Sequence, residues 1–289
     1  MNVRKGLLGL LVAATATAGL AQPGGAQDAA RTCKGHVETG TATVEQALSE
    51  LSETELNEFY EDWFGGGGRY PDGVPGKLIV GTNGDDVIIA TGDDDVIVPG
   101  QGRDVVCALG GNDAILAASG GGQIFLGPGD DVFARSHGSF TRVHGGPGND
   151  FLEAGNDGVV LRGGQGDDFL MATVGSGSVL RGGAGSDFVH QLSEGRNRVY
   201  GGPGDDLLLQ DGGGSVLLGG TGADQLRNVQ ESESTSTLRG GGGDDLIESL
   251  TGDTVRGGPG LDACIGRSCE QLPQDVVWPD FAMPVAWWD

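Results

Sequence analysis

A motif of nine residues, rich in glycine and aspartate, constrains the fold of this chain more than any other sequence feature. From Gly81 the sequence runs without a gap through four blocks: GTNGDDVII (81–89), ATGDDDVIV (90–98), PGQGRDVVC (99–107) and ALGGNDAIL (108–116). Each block has Asp at its sixth place and an aliphatic residue at its eighth. Because a fixed short period is the signature of repeat architectures, the pattern predicts a solenoid.

The motif continues along the chain with a wider spacing. Clear blocks such as GGPGNDFLE (145–153) and GGQGDDFLM (163–171) recur as far as GGPGLDACI (257–265), with starts 17 to 21 residues apart. The blocks between them keep the length and lose the aspartate. Their sixth places are predicted to be, among others, Gly122, Phe140, Val159, Gly177 and Ser215.

The blocks resemble the repeats-in-toxin (RTX) family, whose consensus is GGxGxDxUx with U a large apolar residue. The resemblance covers residues 81–265. It implies an all-β chain that folds as a right-handed parallel β-roll, a type of β-solenoid, and binds calcium. The N-terminal cysteine, the VGTNGDDVI start and the CIGRSCE end resemble secreted actinobacterial members, whereas the acidic segment between Cys33 and the first repeat departs from them.

The residue types themselves favour calcium. Glycines at places one, two and four leave main-chain carbonyls unshielded, and the aspartate at place six adds a carboxylate. Two blocks form one coil, so turns about 18 residues apart stack at the ~4.8 Å spacing of strands. Oxygen ligands of this kind suit Ca²⁺ better than zinc or copper. The expected ligand residues are Asp86, Asp95, Asp104, Asp113, Asp131, Asp150, Asp168, Asp187, Asp206, Asp224, Asp245 and Asp262, with Gly145, Gly163, Gly182, Gly201, Gly219, Gly240 and Gly257.

Sorting the blocks by parity predicts that calcium lies on one side of the roll. Every second block, from Asp95 to Asp262, retains its aspartate, whereas the other series has only Asp86 and Asp104 before it decays. Ten stacked turns leave nine intervals, so we expect about nine or ten ions per chain. The alternative is that these aspartates only stabilise turns, without metal.

The charge balance points to the same class of partner. The chain has 41 acidic and 17 basic residues, a net charge of -24, with 58 glycines and few aromatics. Such a chain is at risk of staying unfolded unless cations neutralise it, and nucleic acid is excluded as a partner. We therefore expect calcium to drive folding.

The first 26 residues are predicted to be a signal peptide, with Arg4 and Lys5 before an apolar stretch and small residues near the cleavage site. The protein is thus expected to be secreted, with no membrane span. Export permits disulfides. Cys264 and Cys269 are close enough to close a short loop, which would leave Cys33 and Cys107 as the other pair, although the sequence alone does not establish this pairing.

Residues 27–76 are interpreted as an acidic helical cap and linker, 77–267 as the β-roll and 268–289 as an aromatic tail or second cap. Apolar spacing predicts helix within 43–64, covering the first coil or binding a partner. The tail contains Trp278, Phe281, Trp287 and Trp288.

Within the roll, period-two alternation predicts a thin core. Leu161, Leu180, Leu238 and Val255 should face Phe133, Leu152, Leu170, Val189, Leu208 and Ile247. The arginines that precede each glycine pair should face solvent and balance charge. The seventh-place residues Phe151, Phe169, Phe188 and Leu207 should form an outward apolar ladder, a feature typical of an interface.

The sequence predicts no enzyme. It contains no HExxH, GxSxG or GxxxxGK[ST] motif, and its four histidines are scattered. Two alternatives to a plain calcium-binding protein remain: a calcium-stiffened adhesin or surface interaction module, and a small hydrolase with an unrecognised site.

Overall fold

The computed structural model describes residues 32–33, 36–37, 78–116, 120–134, 141–193, 195–211, 213–228, 234–249 and 252–266. Over these ranges the chain consists of β-strands joined by turns. No helix in this part of the chain is long and apolar enough to cross a membrane. The predicted signal peptide, the helices expected within 43–64 and the aromatic tail lie outside the described residues.

Two parallel sheets form the body of the protein. The first has eleven strands, β3 (Leu78–Val80), β5 (Val96–Val98), β7 (Ala114–Leu116), β9 (Val132–Ala134), β11 (Phe151–Gly155), β13 (Phe169–Val174), β15 (Phe188–Gln191), β17 (Leu207–Gln210), β19 (Gln225–Asn228), β21 (Leu246–Glu248) and β23 (Ala263–Ile265). The second has ten, β4 (Val87–Ile89), β6 (Asp104–Cys107), β8 (Gly122–Phe125), β10 (Thr141–Pro147), β12 (Val160–Gln165), β14 (Val179–Ala184), β16 (Arg198–Pro203), β18 (Val216–Thr221), β20 (Thr237–Gly242) and β22 (Thr254–Arg256).

Each strand pairs with the strand two places further along the chain. In β12 and β14, for example, Leu161 lies opposite Leu180, and in β11 and β13 Leu152 lies opposite Leu170. Successive strands therefore alternate between the sheets, and two blocks form one coil. The predicted parallel β-roll is confirmed.

The core lies between the sheets and is as thin as the alternation predicts. Each strand from β3 to β21 contributes one inward apolar residue, and these side chains are buried in one continuous cluster that includes Phe133, Leu152, Leu161, Leu180 and Leu208. Val255, near the C-terminal end of the roll, is only partly buried. Because each coil adds about two large side chains, most of each coil's remaining contacts are made by main chain.

The turns between the sheets pack backbone against backbone. Gly164 has a φ of +145°, and a Cβ there would overlap the carbonyl oxygen of Gly146 in the preceding coil. Only glycine fits both the conformation and the close approach. Six strands of the ten-stranded sheet continue through the glycine pair, five of them with six residues and β10 with seven.

In the blocks that lack aspartate, two of the residues predicted to occupy the sixth place, Phe140 and Gly177, are wrong by one residue. Strand pairing places Thr141 opposite Gly122, and it places Ser178 opposite Val159. These two residues, and not Phe140 and Gly177, occupy the column. The reason is that coils vary in length, so counting in nines loses the register that the hydrogen-bonded sheet imposes.

A short antiparallel hairpin, β1 (Thr32–Cys33) and β2 (His36–Val37), lies beside the first coils of the roll. Strand β1 contacts β4 and β6. On the outer face of these strands Ile89 and Cys107 form a second small buried cluster. The N-terminal hairpin therefore lies at the end of the ten-stranded sheet where its outer surface is apolar.

Candidate metal centre

The sixth-place aspartates from Asp95 to Asp262 stand at the edge of the roll where each strand of the ten-stranded sheet turns into a strand of the eleven-stranded sheet, whereas Asp86 and Asp104 stand at the opposite edge. Asp150 directly precedes β11, and Asp168 directly precedes β13. Although they belong to turns, both side chains are 2% exposed. The same holds along the column, in which every aspartate from Asp95 to Asp245 is buried.

One oxygen of each carboxylate is used to join adjacent coils. The main-chain N–H of Asp150 donates to Oδ1 of Asp168 at 2.8 Å, and the N–H of Asp168 donates to Oδ1 of Asp187 at 2.9 Å. Nine such bonds of 2.7–3.2 Å run from Asp95 to Asp262. The carboxylates are thereby held at one height per coil, with a common orientation.

The other oxygen, Oδ2, is buried without a hydrogen-bond partner. This is true of eight consecutive members of the column: Asp113, Asp131, Asp150, Asp168, Asp187, Asp206, Asp224 and Asp245. Leaving a buried carboxylate oxygen unsatisfied costs several kilocalories per mole in a folded protein. The eight atoms in this column are therefore candidate ligands for a cation.

The first-place glycines form the wall around these oxygens. A Cβ added to Gly163 would overlap Oδ2 of Asp168, and the same relation links Gly145 to Asp150. At Gly145 the added atom would also lie 2.8 Å from the carbonyl oxygen of Gly163, in the next coil. Gly182, Gly201, Gly219, Gly240 and Gly257 each face the Oδ2 of their own block in the same way. Carboxylate and carbonyl oxygens from two successive coils thus converge on one space.

Burial raises the pKa of these carboxyl groups strongly. Desolvation is the main cause, the N–H donated by the preceding coil opposes it, and neighbouring carboxylates add to it. The pKa of Asp131 rises to about 8, and those of Asp113, Asp150, Asp168 and Asp206 rise to about 7. The column consequently binds protons in the absence of another cation.

The first coil differs from the others. Thr91 donates to Oδ2 of Asp95 through both its N–H, at 2.8 Å, and its hydroxyl, at 2.7 Å. Thr82 donates its N–H to Oδ2 of Asp86 at 2.7 Å. Asp86 and Asp95 lie in the columns predicted for them. The first coil has threonine at the second place of each block, and this threonine donates hydrogen bonds to Oδ2 of the aspartate. The later blocks from Asp113 to Asp245 have no threonine at the second place, and there Oδ2 has no hydrogen-bond partner.

The opposite edge of the roll carries a neutral version of the same ladder. There the N–H of Ser178 donates to Oδ1 of Asn197 at 3.0 Å, and the N–H of Asn197 lies 3.3 Å from the hydroxyl of Ser215. Ser236 and Asp253 continue the column. From Ser178 to Ser236 neutral side chains take over the inter-coil bonds, so this stretch of the edge has no charge that requires a cation, whereas Asp86 and Asp104 at one end of the column and Asp253 at the other remain acidic. The loss of aspartate and the place of Ser215 are visible in the sequence, but the column through Ser178 and Asn197 was not predicted.

A second ladder at the aspartate edge was also missed. The fifth-place side chain of one coil accepts the N–H of the fifth place in the next, as in Asn149 to Asp130 and Asp167 to Asn149, both 2.8 Å. The bonds occur wherever the fifth place is Asp or Asn, and these residues are exposed. The recurring Asn-Asp and Asp-Asp pairs were the available signal. The exposed residue joins coils, whereas the buried one faces the oxygen cluster.

The donors present fit a hard cation held between coils. Among the described residues, no three His, Cys, Asp or Glu side chains converge on one point. Each interval instead offers one buried carboxylate oxygen with main-chain carbonyls, which is an oxygen set that suits calcium and lacks the nitrogen and sulfur atoms preferred by zinc or copper.

A comparison with known families agrees with this geometry. The family model of the RTX calcium-binding nonapeptide repeat matches four segments, residues 78–106, 144–179, 192–217 and 235–255. A search of curated proteins finds no matching sequence. The matched segments together contain parts of both sheets and several of the glycine–aspartate turns described above. The chain therefore carries RTX calcium-binding nonapeptide repeats, matched in four copies.

Proposed function

We propose that the chain is a secreted, non-enzymatic protein that binds a single row of Ca²⁺ ions in the intervals between successive coils at the aspartate edge. The observation that carries this proposal is the row of eight buried Oδ2 atoms without partners. The sixth-place aspartates and first-place glycines would provide the ligands. A bound ion would satisfy the oxygens and neutralise the carboxylates at once.

The proposal refines the number of ions expected from the sequence. Nine intervals separate the ten stacked turns, but the Oδ2 of Asp95 in the first turn is already bonded to Thr91. Of the other nine aspartates, the eight from Asp113 to Asp245 each have one unsatisfied Oδ2. We therefore propose eight calcium ions, which would add +16 to the charge of the chain.

Calcium binding would also drive folding. Residues 1–26 contain two basic and no acidic residues, so their removal as a signal peptide would bring the net charge from -24 to -26. The core is only one or two side chains thick per coil, and stacked carboxylates repel each other. In this proposal the ions supply the attraction between coils that the thin core does not.

Titration of the calcium-free protein tests this function. Individual sites in extracellular modules bind calcium with Kd values of about 10⁻⁴–10⁻³ M, so we expect a cooperative rise of the β-type circular dichroism signal near millimolar calcium. Native mass spectrometry should then count eight ions. A fully folded protein in excess EDTA, no bound calcium, or close to twenty ions would contradict the proposal.

A matched pair of variants locates the ions. Asp168→Asn keeps an oxygen for the N–H of Asp150 but removes the charge, so it should lose about one ion and weaken the cooperativity of its neighbours, because coils contact only adjacent coils. Ser215→Ala removes a comparable ladder residue at the opposite edge and should leave the ion count unchanged. Equal losses in both variants would refute the one-sided arrangement.

A second candidate role, that of an interaction module, is favoured by the outer face of the eleven-stranded sheet. Phe169 stacks between Phe151 and Phe188, with ring centroids 4.9 and 4.8 Å apart and planes within 12°. These rings are half-buried and lie in adjacent strands. Such an apolar column suits contact with the aromatic tail or with another molecule.

A further inference from the structure

The arginines of the roll are concentrated on one surface. Strands β10 to β22 of the ten-stranded sheet direct two side chains each outward, and six of these are Arg142, Arg162, Arg181, Arg198, Arg239 and Arg256. None of the outward positions on these seven strands is Asp or Glu. In a chain with 41 acidic residues this separation of charge is unexpected. We call this surface the basic stripe.

The stripe combines cations with flat side chains. The guanidinium of Arg162 lies 3.4–3.5 Å from both ring nitrogens of His144, and His144 stacks on Phe125 with centroids 5.0 Å apart. Further along, the guanidinium of Arg181 lies 4.7 Å from the ring centroid of Tyr200. Arg162, Arg198, Arg239 and Arg256 are exposed, so solvent reaches most of the stripe.

The contact of Arg181 with the face of Tyr200 leaves the edges of this guanidinium available. An arginine held against a ring loses little further side-chain freedom when it forms a pair of hydrogen bonds to a carboxylate or sulfate group. On the outward positions of β10 to β22, all of which lie in the described part of the chain, no acidic side chain neutralises these arginines. The sequence predicts that these arginines only balance charge. Their grouping on one face indicates a binding role in addition.

The shape of the stripe selects the kind of partner. It is two outward side chains wide and follows the roll axis over seven strands, a length of about 29 Å at the usual strand spacing. Exposed acidic residues flank it on both edges: Asp130, Asp167 and Asp205 at one turn and Asp157 at the other. A membrane or a nucleic-acid duplex is broader than the stripe and would meet these repelling charges.

We propose that the basic stripe binds a single extended chain of an acidic polysaccharide laid along the roll axis. Its carboxylate or sulfate groups would pair with Arg162 and Arg181 and with Arg239 and Arg256, while Tyr200, between the two pairs, would contact a sugar ring. A polymer with charges separated by sugar rings also suffers less repulsion from a strongly acidic protein than nucleic acid, which carries one charge per ~1.7 Å.

Binding by the full-length protein in saturating calcium tests the proposal. The probes are heparin and hyaluronan, which distinguish sulfate from carboxylate, with neutral dextran as the control. We expect binding to at least one acidic polymer, none to dextran, and weakening by added salt. Arg162→Gln with Arg181→Gln should weaken binding by about tenfold, as two charge-assisted contacts are lost. Arg239→Gln with Arg256→Gln should act in the same direction.

The matched control removes the same charge elsewhere. Arg103→Gln with Arg227→Gln lies outside the stripe and should leave affinity within about twofold, since exposed charges beyond a Debye length are screened. The inference fails if neither polysaccharide binds, if the control loses as much affinity, or if single-stranded DNA or phosphatidylserine vesicles bind more tightly. Self-association that is abolished by the stripe variants would assign the surface to a second copy. The number of calcium ions bound is measured on the same samples. It distinguishes a lack of polysaccharide binding from a loss of the calcium sites.

Discussion

At the scale of the residue, each sixth-place aspartate divides its two oxygens between two tasks. In Asp168, Oδ1 accepts the N–H of Asp150 in the preceding coil, whereas Oδ2 faces Gly163 and has no hydrogen-bond partner. The first task holds the carboxylate in place, and the second leaves a pre-oriented oxygen for a cation. Glycine is needed at the first place because any side chain there would fill the space in front of Oδ2.

Gly163→Ala tests this pairing of glycine and aspartate. Its methyl group would overlap Oδ2 of Asp168, so we expect the loss of about one calcium ion and a weaker calcium response. Gly242→Ala is the control, because a Cβ at Gly242 meets no atom within 4 Å. Native mass spectrometry of both variants decides. An unchanged ion count in Gly163→Ala would show that the space beside Oδ2 does not hold calcium.

At the scale of the element, the two edges of the roll solve the same packing problem with different chemistry. The aspartate edge joins coils through carboxyl groups whose pKa is raised mainly by burial, whereas the other edge uses Ser178, Asn197, Ser215 and Ser236, all at most 2% exposed. A charged ladder needs cations and a neutral ladder does not. The difference implies that pH affects one edge far more than the other.

The raised pKa values predict that acid replaces calcium in part. An unfolded Asp titrates near 3.9, whereas Asp131 and Asp168 titrate at about 8 and about 7 in the folded chain. The folded state therefore binds more protons over this range, and the stability that they confer is complete below about pH 4 and is lost as pH rises through 7–8. We expect calcium-depleted protein to retain its β-type circular dichroism at pH 5 and to lose it at pH 8.

When calcium is present, the dependence of stability on pH is reversed. An ion binds the deprotonated carboxylate, so the calcium midpoint should fall to lower concentration as pH rises from 6 to 8, with protons released on binding. The protein is depleted of calcium by gel filtration, since chelators bind poorly in acid. A calcium-free fold that becomes more stable with rising pH would overturn the assignment of buried, protonated aspartates.

At the scale of the whole molecule, three outer surfaces have distinct chemistry. The eleven-stranded sheet carries stacked phenylalanines, and the ten-stranded sheet carries the basic stripe from β10 onward. The first strands of the latter sheet are apolar and lie against the hairpin β1–β2. The hairpin places Cys33, the last residue of β1, beside the region of Cys107, the last residue of β6. Neither Cys107 nor Cys264 is a free thiol.

We predict that Cys33 pairs with Cys107 and that Cys264 pairs with Cys269. Peptide mapping without reduction should recover these two pairs. Because a bond between Cys33 and Cys107 closes a long loop, the Cys33→Ser, Cys107→Ser double variant should lose about 4 kcal/mol of unfolding free energy in calcium. A bond between Cys264 and Cys269 closes a much shorter loop, so the Cys264→Ser, Cys269→Ser double variant should lose less unfolding free energy. Recovery of crossed pairs would contradict the assignment.

The sequence by itself determined the repeat, the two-block coil, the inward column of Leu161, Leu180 and Leu208, and the edge that keeps its aspartates. These features follow from local periodicity, because each coil repeats the same short pattern of turn, apolar residue and turn. Only the tertiary structure decided what depends on contacts between coils. The separate uses of Oδ1 and Oδ2 in Asp168, the satisfaction of Asp95 by Thr91, and the neutral ladder through Asn197 require the registers of stacked strands. Those registers are set by hydrogen bonds between residues 17 to 21 positions apart, and coil lengths that vary within this range shift the register without changing the local motif.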